Sequence, residues 1–268
     1  MNKLLLGRYI NADSWLHRLD PRTKLILAIL FVVVVFIANH WLLYLVLFIY
    51  LAYAIRLSGI RLSYFLNGLK PLRWLIIFTV IFQLAFNQTG EVVFSWTWIT
   101  ITTGGLTQAA YIFMRLTLIV SMSTLLTLTT SPLELTDGLE YLMRPLKKLG
   151  FPSDDVALML SIALRYVPTL SDEATTIMNA QRSRGVDFDS GNLLERIRSM
   201  VPIIVPLFVS AFNRAEEMAI AMEARGYQGS EGRTKYRVLS FKAADALALV
   251  SFIAVTAVMI TIRRIIQS

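Results

Sequence analysis

Residues 25–38 read LILAILFVVVVFIA, Asn39 and His40 follow, and residues 41–55 resume with WLLYLVLFIYLAYAI. No charged side chain falls in either run. A helix that is apolar on every side belongs inside a large core or a membrane. The two-residue break predicts a tight helical hairpin. Each run is shorter than the roughly 20 residues that span a bilayer comfortably, so flanking residues contribute or the bilayer thins locally. Three more apolar runs follow: Leu72 to Phe86, softened by Thr79 and Gln83, then Gly105 to Thr130, then Ala243 to Ile262. In hydrocarbon a helix satisfies its own backbone. The expected fold class is therefore an all-α integral membrane protein with about five transmembrane helices. Between the third and fourth runs, Val92 to Thr103 alternates with Thr and Trp, which reads as a short extracellular ribbon or an interfacial segment.

Composition agrees. Of 268 residues 56% are hydrophobic and only 16% charged, where soluble domains carry about 25% charge. Mean hydropathy is +0.59. The net charge of +8 is of the kind that suits nucleic acid, but Lys and Arg cluster beside the apolar runs and in one central block, as membrane topology requires. No nucleic-acid partner is expected. The absence of Cys excludes disulfides and thiolate metal sites, and His17 and His40 are the only histidines, too few for a histidine metal site. The basic, polar N-terminus is not a signal peptide.

Positive charge orients the runs. Lys3, Arg8, Arg18, Arg22 and Lys24 precede the first, and Arg56, Arg61, Lys70 and Arg73 separate the second from the third. The segment Asn87 to Gly104 has no Lys or Arg, whereas residues 131–239 hold thirteen. This pattern places the N-terminus and the central block in the cytoplasm. Five spans leave Arg263 and Arg264 outside, which is tolerable because terminal charges weigh less than the first helices. Val156 to Leu170 and Val201 to Phe212 resemble spans but carry Arg165, Pro168, Pro202 and Pro206. Runs of that length are more often interfacial or core helices.

The expected organisation is 1–130, an N-terminal segment with four spans; 131–239, a cytoplasmic domain of long amphipathic helices; and 240–268, the last span. Ser131-Pro132 reads as a helix start, and Leu133 to Leu149 stops at Gly150. Ser153 is the expected cap of a helix running to Arg184 and kinked at Pro168. Asp187 to Gly191 turns the chain. A second helical run, Asn192 to Arg225, is expected to break near Pro202 and Pro206. The two end alike, as Ala180-Gln181-Arg182-Ser183-Arg184-Gly185 and Ala221-Met222-Glu223-Ala224-Arg225-Gly226. Gly past a helix end and Arg in its last turn are ordinary caps. A duplicated ending whose arginine is flanked by small residues also suits bidentate pairing with carboxylates of another protein. Ala211, Ala215 and Ala219 recur at a spacing that lets two helices approach, and Met200, Met218 and Met222 offer deformable surface to a partner. Both stripes also fit plain core.

Arg115 is the one charge well inside a span, so it is a functional candidate or a structural, snorkelling residue. His17 and Asp20 read as a cap for Pro21-Arg22-Thr23-Lys24. The chain has no phosphate-cradling Gly-x-x-x-x-Gly-Lys-Ser/Thr loop and no acidic relay across the membrane. No catalytic residue is expected, and no cofactor. A stand-alone secondary transporter or channel is the competing class, but neither a midplane polar site nor internal repeats are found.

Two motif groups resemble a known family. Gly7-Arg8-Tyr9-Ile10 with Ser14-Trp15-Leu16-His17-Arg18-Leu19-Asp20-Pro21-Arg22-Thr23-Lys24, and the paired Ser183-Arg184-Gly185 and Ala224-Arg225-Gly226, are similar to the signatures of EcfT, the CbiQ-like transmembrane coupling subunit of bacterial energy-coupling-factor transporters. Ser183 departs from the commoner Ala. The resemblance implies a multi-pass subunit of the bacterial cell membrane that joins two cytoplasmic ABC-type ATPases, one per arginine motif, to a small membrane-embedded subunit capturing a vitamin or metal ion. It implies that ATP and Mg are bound by the ATPases. It also implies that the two long helices cross and transmit movement.

Overall fold

The computed structural model describes residues 9–10, 12–87, 89–96, 99–188, 190–229 and 239–267. Lys3, and Gly7 and Arg8 of the N-terminal signature, lie outside them. The described residues fall into two compact units, one within 7–139 and 239–268, the other within 140–238.

The first unit is a bundle built around one long helix. Asp20 caps α1 (Pro21–Ile37), its side chain accepting the Arg22 N–H at 2.9 Å, as the sequence led us to expect. The hairpin to α2 (Trp41–Ser58) is closed by Tyr44, whose buried hydroxyl donates to the Ala38 carbonyl at 2.9 Å. The His40 ring caps α2 by accepting the Leu42 N–H. Next come α3 (Leu62–Leu69), a tight turn at Lys70–Leu72, and α4 (Arg73–Phe86). Pro71 has no N–H to give an α-helical ladder, and the chain tightens there without ending the span. The expected ribbon is an antiparallel pair, β1 (Val92–Trp96) and β2 (Ile99–Thr102). Then α5 (Thr103–Thr129) packs against α1, α2, α3 and α4, while α9 (Ala243–Gln267) packs against α1 and α2. Phe31, Val35, Tyr44, Leu47 and Leu118 are wholly buried between them. Outward faces stay apolar, for example Ile49 on α2 and Phe78 on α4, as lipid-facing helices require.

Four stretches among the described residues are long and apolar enough to cross a bilayer: Trp41–Ser58, Leu62–Phe86, Thr103–Thr129 and Ala243–Ile266. The expected first span, 25–38, lies in α1, whose 17 residues rise about 26 Å. That is short of the roughly 30 Å of hydrocarbon, because Asp20 and the hairpin turn fix both ends. The third expected span begins earlier than Leu72, at Leu62.

A polar clasp ties this unit together at one end. The Asp245 carboxylate, wholly buried, accepts the Asp20 N–H at 2.7 Å and the Lys242 N–H at 2.8 Å. Lys24 donates to the carbonyls of His17 at 3.1 Å and Thr129 at 2.9 Å. His17 in turn binds Ser14 Oγ and the Ile10 carbonyl. Burial drops the Lys24 ammonium, which precedes the apolar run, to about 8 against the pull of Glu134, Asp245 and Asp20.

Helix α6 (Pro132–Met143) starts at the expected signature, where Ser131 and Glu134 cap each other's backbone N–H. After it, Arg144–Leu149 tightens around Pro145 and stops at Gly150. In the second unit α7 (Ser153–Ser183) and α8 (Leu193–Ala224) have 31 and 32 residues, about 46 and 48 Å. The runs 156–170 and 201–212 are interior stretches of these helices and are not among the four spans. Two expectations are corrected. The capping position of α7 is Pro152, and Ser153 is already helical with its Oγ buried and unpartnered. Its N–H turns to the Phe151 carbonyl at 2.9 Å, so the hydroxyl does not cover the first turn. Nor does α8 break at Pro202 and Pro206. Asn192 and Glu195 form a full capping box that starts it, and the helix continues despite two missing N–H groups.

Replacing Asp245 with Ala orphans two backbone donors, one of them buried, at about 1–3 kcal/mol each. Thermal unfolding in detergent should show a clearly lowered midpoint, with Asp245→Asn intermediate. An unchanged midpoint would remove the clasp from the account.

Candidate functional site

The two helix ends are the same structure built twice. At the first, Ser183 is the last helical residue and Arg184 the C-cap, Gly185 takes φ 84°, and Val186 N–H reaches back to the Gln181 carbonyl at 3.1 Å while Gly185 N–H reaches Arg182 O at 3.0 Å. At the second, Gly226 takes φ 75°, Tyr227 N–H reaches the Met222 carbonyl at 3.0 Å, and Gly226 N–H reaches Glu223 O at 2.9 Å. Both are Schellman closures, which satisfy the last carbonyls by turning one residue left-handed. A Cβ at Gly185 or Gly226 would meet nothing within 4 Å, so backbone conformation, not space, demands the glycine.

The closure settles where the arginines go. Ser183, Arg184, Gly185, Ala224, Arg225 and Gly226 are all exposed. Neither the Arg184 nor the Arg225 side chain makes a hydrogen bond or ion pair with any described residue, whereas the guanidinium of the nearby Arg182 stacks over the Phe188 ring at 5.8 Å. Ser183 turns its hydroxyl back onto the Asn179 carbonyl at 3.1 Å, leaving the guanidinium of Arg184 unobstructed. Each helix thus presents a planar fork of five donors beyond its C-terminus.

The alanine and methionine stripes meet the neighbouring helix. Ala211, Ala215 and Ala219, with Met218 and Met222, line one side of a groove of about 290 Å³. Ile162, Tyr166 and Leu170 of α7 line the other. Arg214 pins the pair by donating to Ser210 Oγ at 3.3 Å and to Glu173 at 3.1 Å. Met200 stands apart and exposed. The run 201–212, read from sequence as an interfacial or core helix, belongs to a feature that reading did not resolve, an outward stripe of Ile197, Val201, Ile204, Phe208 and Phe212, with Phe208 70% exposed. Its steps of four, three, four and four residues were the available signal.

Arg115 lies in α5 of the first unit. It donates to the Tyr44 hydroxyl at 3.1 Å and sits 5.3 Å over the Phe36 ring, while its buried Nε has no partner. Both partners flank the α1–α2 turn, so the side chain reaches toward a helix end, as snorkelling cations do. Among the described residues no group of His, Cys, Asp and Glu could hold a metal ion.

Comparison with known proteins decides the family. The model of the cobalt transport protein family CbiQ matches residues 12–236. The chain belongs to the CbiQ–EcfT family. The energy-coupling factor transporter transmembrane protein EcfT of Lacticaseibacillus paracasei is 51% identical over 98% of this chain and 100% of its own length. That of Lactococcus lactis subsp. cremoris is 54% identical over 97% of this chain and 98% of its own. That of Bacillus subtilis is 46% identical over 98% and 99%. The chain is a membrane protein of this transport family, as its signatures implied.

Two predictions follow from the geometry. Gly185→Ala and Gly226→Ala should each cost about 1 kcal/mol through left-handed strain, with Asn better tolerated; amide exchange at Val186 and Tyr227 reads this locally, and unaltered protection would contradict it. Arg115→Leu should leave uptake intact, because Tyr44 keeps its bond to Ala38. A well-assembled Leu variant without uptake would make Arg115 part of the mechanism.

Proposed function

We propose that this chain is the coupling subunit of an ATP-driven importer, linking two cytoplasmic ABC-type ATPase subunits to a small membrane-embedded subunit that captures a vitamin or metal ion. Arg184 and Arg225 each dock into a carboxylate-bearing groove on one ATPase. The observation that carries this reading is the pair of unpartnered arginines on twin Schellman closures, each at the end of a helix some 46 to 48 Å long. A stiff helix anchored at one end carries a displacement along its length, so ATPase closure moves α7 and α8. The groove between them, floored by alanines and deformable methionines, tolerates sliding without a change of partners. The exposed stripe from Ile197 to Phe212 supplies apolar surface for the substrate-capturing subunit, and specificity resides in that subunit. ATP and Mg stay with the ATPases.

In this reading residues 131–239 and the N-terminus face the cytoplasm, following their basic charge. A single cysteine at Ser190 in this Cys-free chain should resist membrane-impermeant reagents in intact cells while reacting after permeabilisation. Labelling from outside would overturn the orientation.

Breaking a desolvated interfacial charge pair costs about 2–5 kcal/mol, roughly 30- to several-thousand-fold in affinity. Arg184→Ala or Arg225→Ala should weaken ATPase co-purification or uncouple hydrolysis from uptake, and the double variant should abolish transport. Lys should rescue poorly, lacking the planar fork. A double variant that keeps its ATPases and imports normally would leave both residues as helix caps. Uptake by this chain alone, driven by a proton gradient, would select a secondary transporter instead.

A further inference from the structure

The first unit contains a cavity of about 500 Å³ among α1, α2, α5 and α9 that the coupling role does not use. It lies at the end where α1 and α9 begin and α2 and α5 finish, beside the clasp. Its walls are almost entirely apolar, with Leu27, Leu51, Leu125 and Phe252 buried in them. Its size falls within the range of small-ligand sites.

Two further observations say what fits. The lining includes Tyr53, 60% exposed, and Leu247, 64% exposed. Tyr53 continues the exposed apolar face of α2 that carries Leu45 and Ile49, and Leu247 continues that of α9 with Val250 and Ile253. Both helices are among the candidate spans, so the mouth opens on surface that meets lipid. Trp15, half-exposed, adds an interfacial aromatic to the lining. At the polar side is Lys24, a buried cation without a salt bridge to any described carboxylate. An ammonium has three N–H donors, and two are spent on the His17 and Thr129 carbonyls. The carboxylates whose fields reach it are engaged in caps: Asp245 by two backbone N–H groups, Asp20 by that of Arg22, Glu134 by that of Ser131.

We infer that this cavity binds a phospholipid of the surrounding bilayer, one acyl chain lying along the apolar wall and an ester or phosphate oxygen accepting the remaining Lys24 N–H. The lipid then acts as a structural ligand between α2 and α9. No covalent change is involved, and the inference does not rest on the coupling reading.

The test uses the assembled complex as purified from its membrane. With p-benzoylphenylalanine in place of Tyr53, illumination should give an adduct on this chain of phospholipid mass. Native mass spectrometry should show one phospholipid per chain surviving delipidation. Ala54→Phe, which narrows the cavity, should lose it, and the Lys24→Met variant should release it at about one tenth of the detergent exposure that wild type needs. A cross-link to a partner polypeptide, to detergent only, or to nothing would overturn the inference. So would a retained phospholipid indifferent to Ala54→Phe in a folded protein. Should Ala54→Phe fail to fold, the adduct mass alone decides.

Discussion

The last carbonyls of a helix must find donors, and both long helices of the second unit meet that constraint in the same way. Gly185 and Gly226 turn left-handed, and the residues after them fold back onto Gln181 and Met222. The preceding arginine is thereby left at the rim with no neighbour to bind. A helix that frayed, or continued, would spread that residue over many orientations or lay it along a helix side. The proposed docking function therefore depends on backbone closure as much as on charge.

The first unit answers a different constraint. A backbone in hydrocarbon has no water to pair with, so helix ends and loops gather their polar groups at the bundle's margins. Tyr44 takes the carbonyl left free at the α1–α2 turn, and Asp245 takes donors from the start of α1 and of α9. Arg115 is accommodated under the same rule, its guanidinium drawn to the turn rather than left at mid-depth. The short α1 remains compatible with this arrangement because its neighbours α5 and α9 cover one face.

Much of this was legible in the sequence because it is local. The hairpin at Asn39-His40, the cap at Asp20, the start at Ser131-Pro132 and the ribbon around Val92 follow from residues a few positions apart. The twin endings were visible as text, though not that both close by the same pair of backbone bonds. Prolines misled: Pro202 and Pro206 each remove a donor, but the remaining ladder and the Asn192–Glu195 box keep α8 continuous. The clasp joins residues 225 apart in sequence, and no local pattern announces it. The alanine stripe was readable as a close-approach face, and the resemblance implied that the two long helices cross; that Ile162, Tyr166 and Leu170 of α7 face the stripe was not legible.

The central claim is that the two arginine ends meet two ATPases. Single cysteines at Ser183 and Ala224, carrying a photoreactive maleimide, test it most directly in the assembled transporter. The account predicts that each position cross-links to an ATPase polypeptide, and that pairing both labels in one chain captures two ATPase copies. Cross-links from either position to lipid, to the small membrane subunit, or to no protein would contradict it.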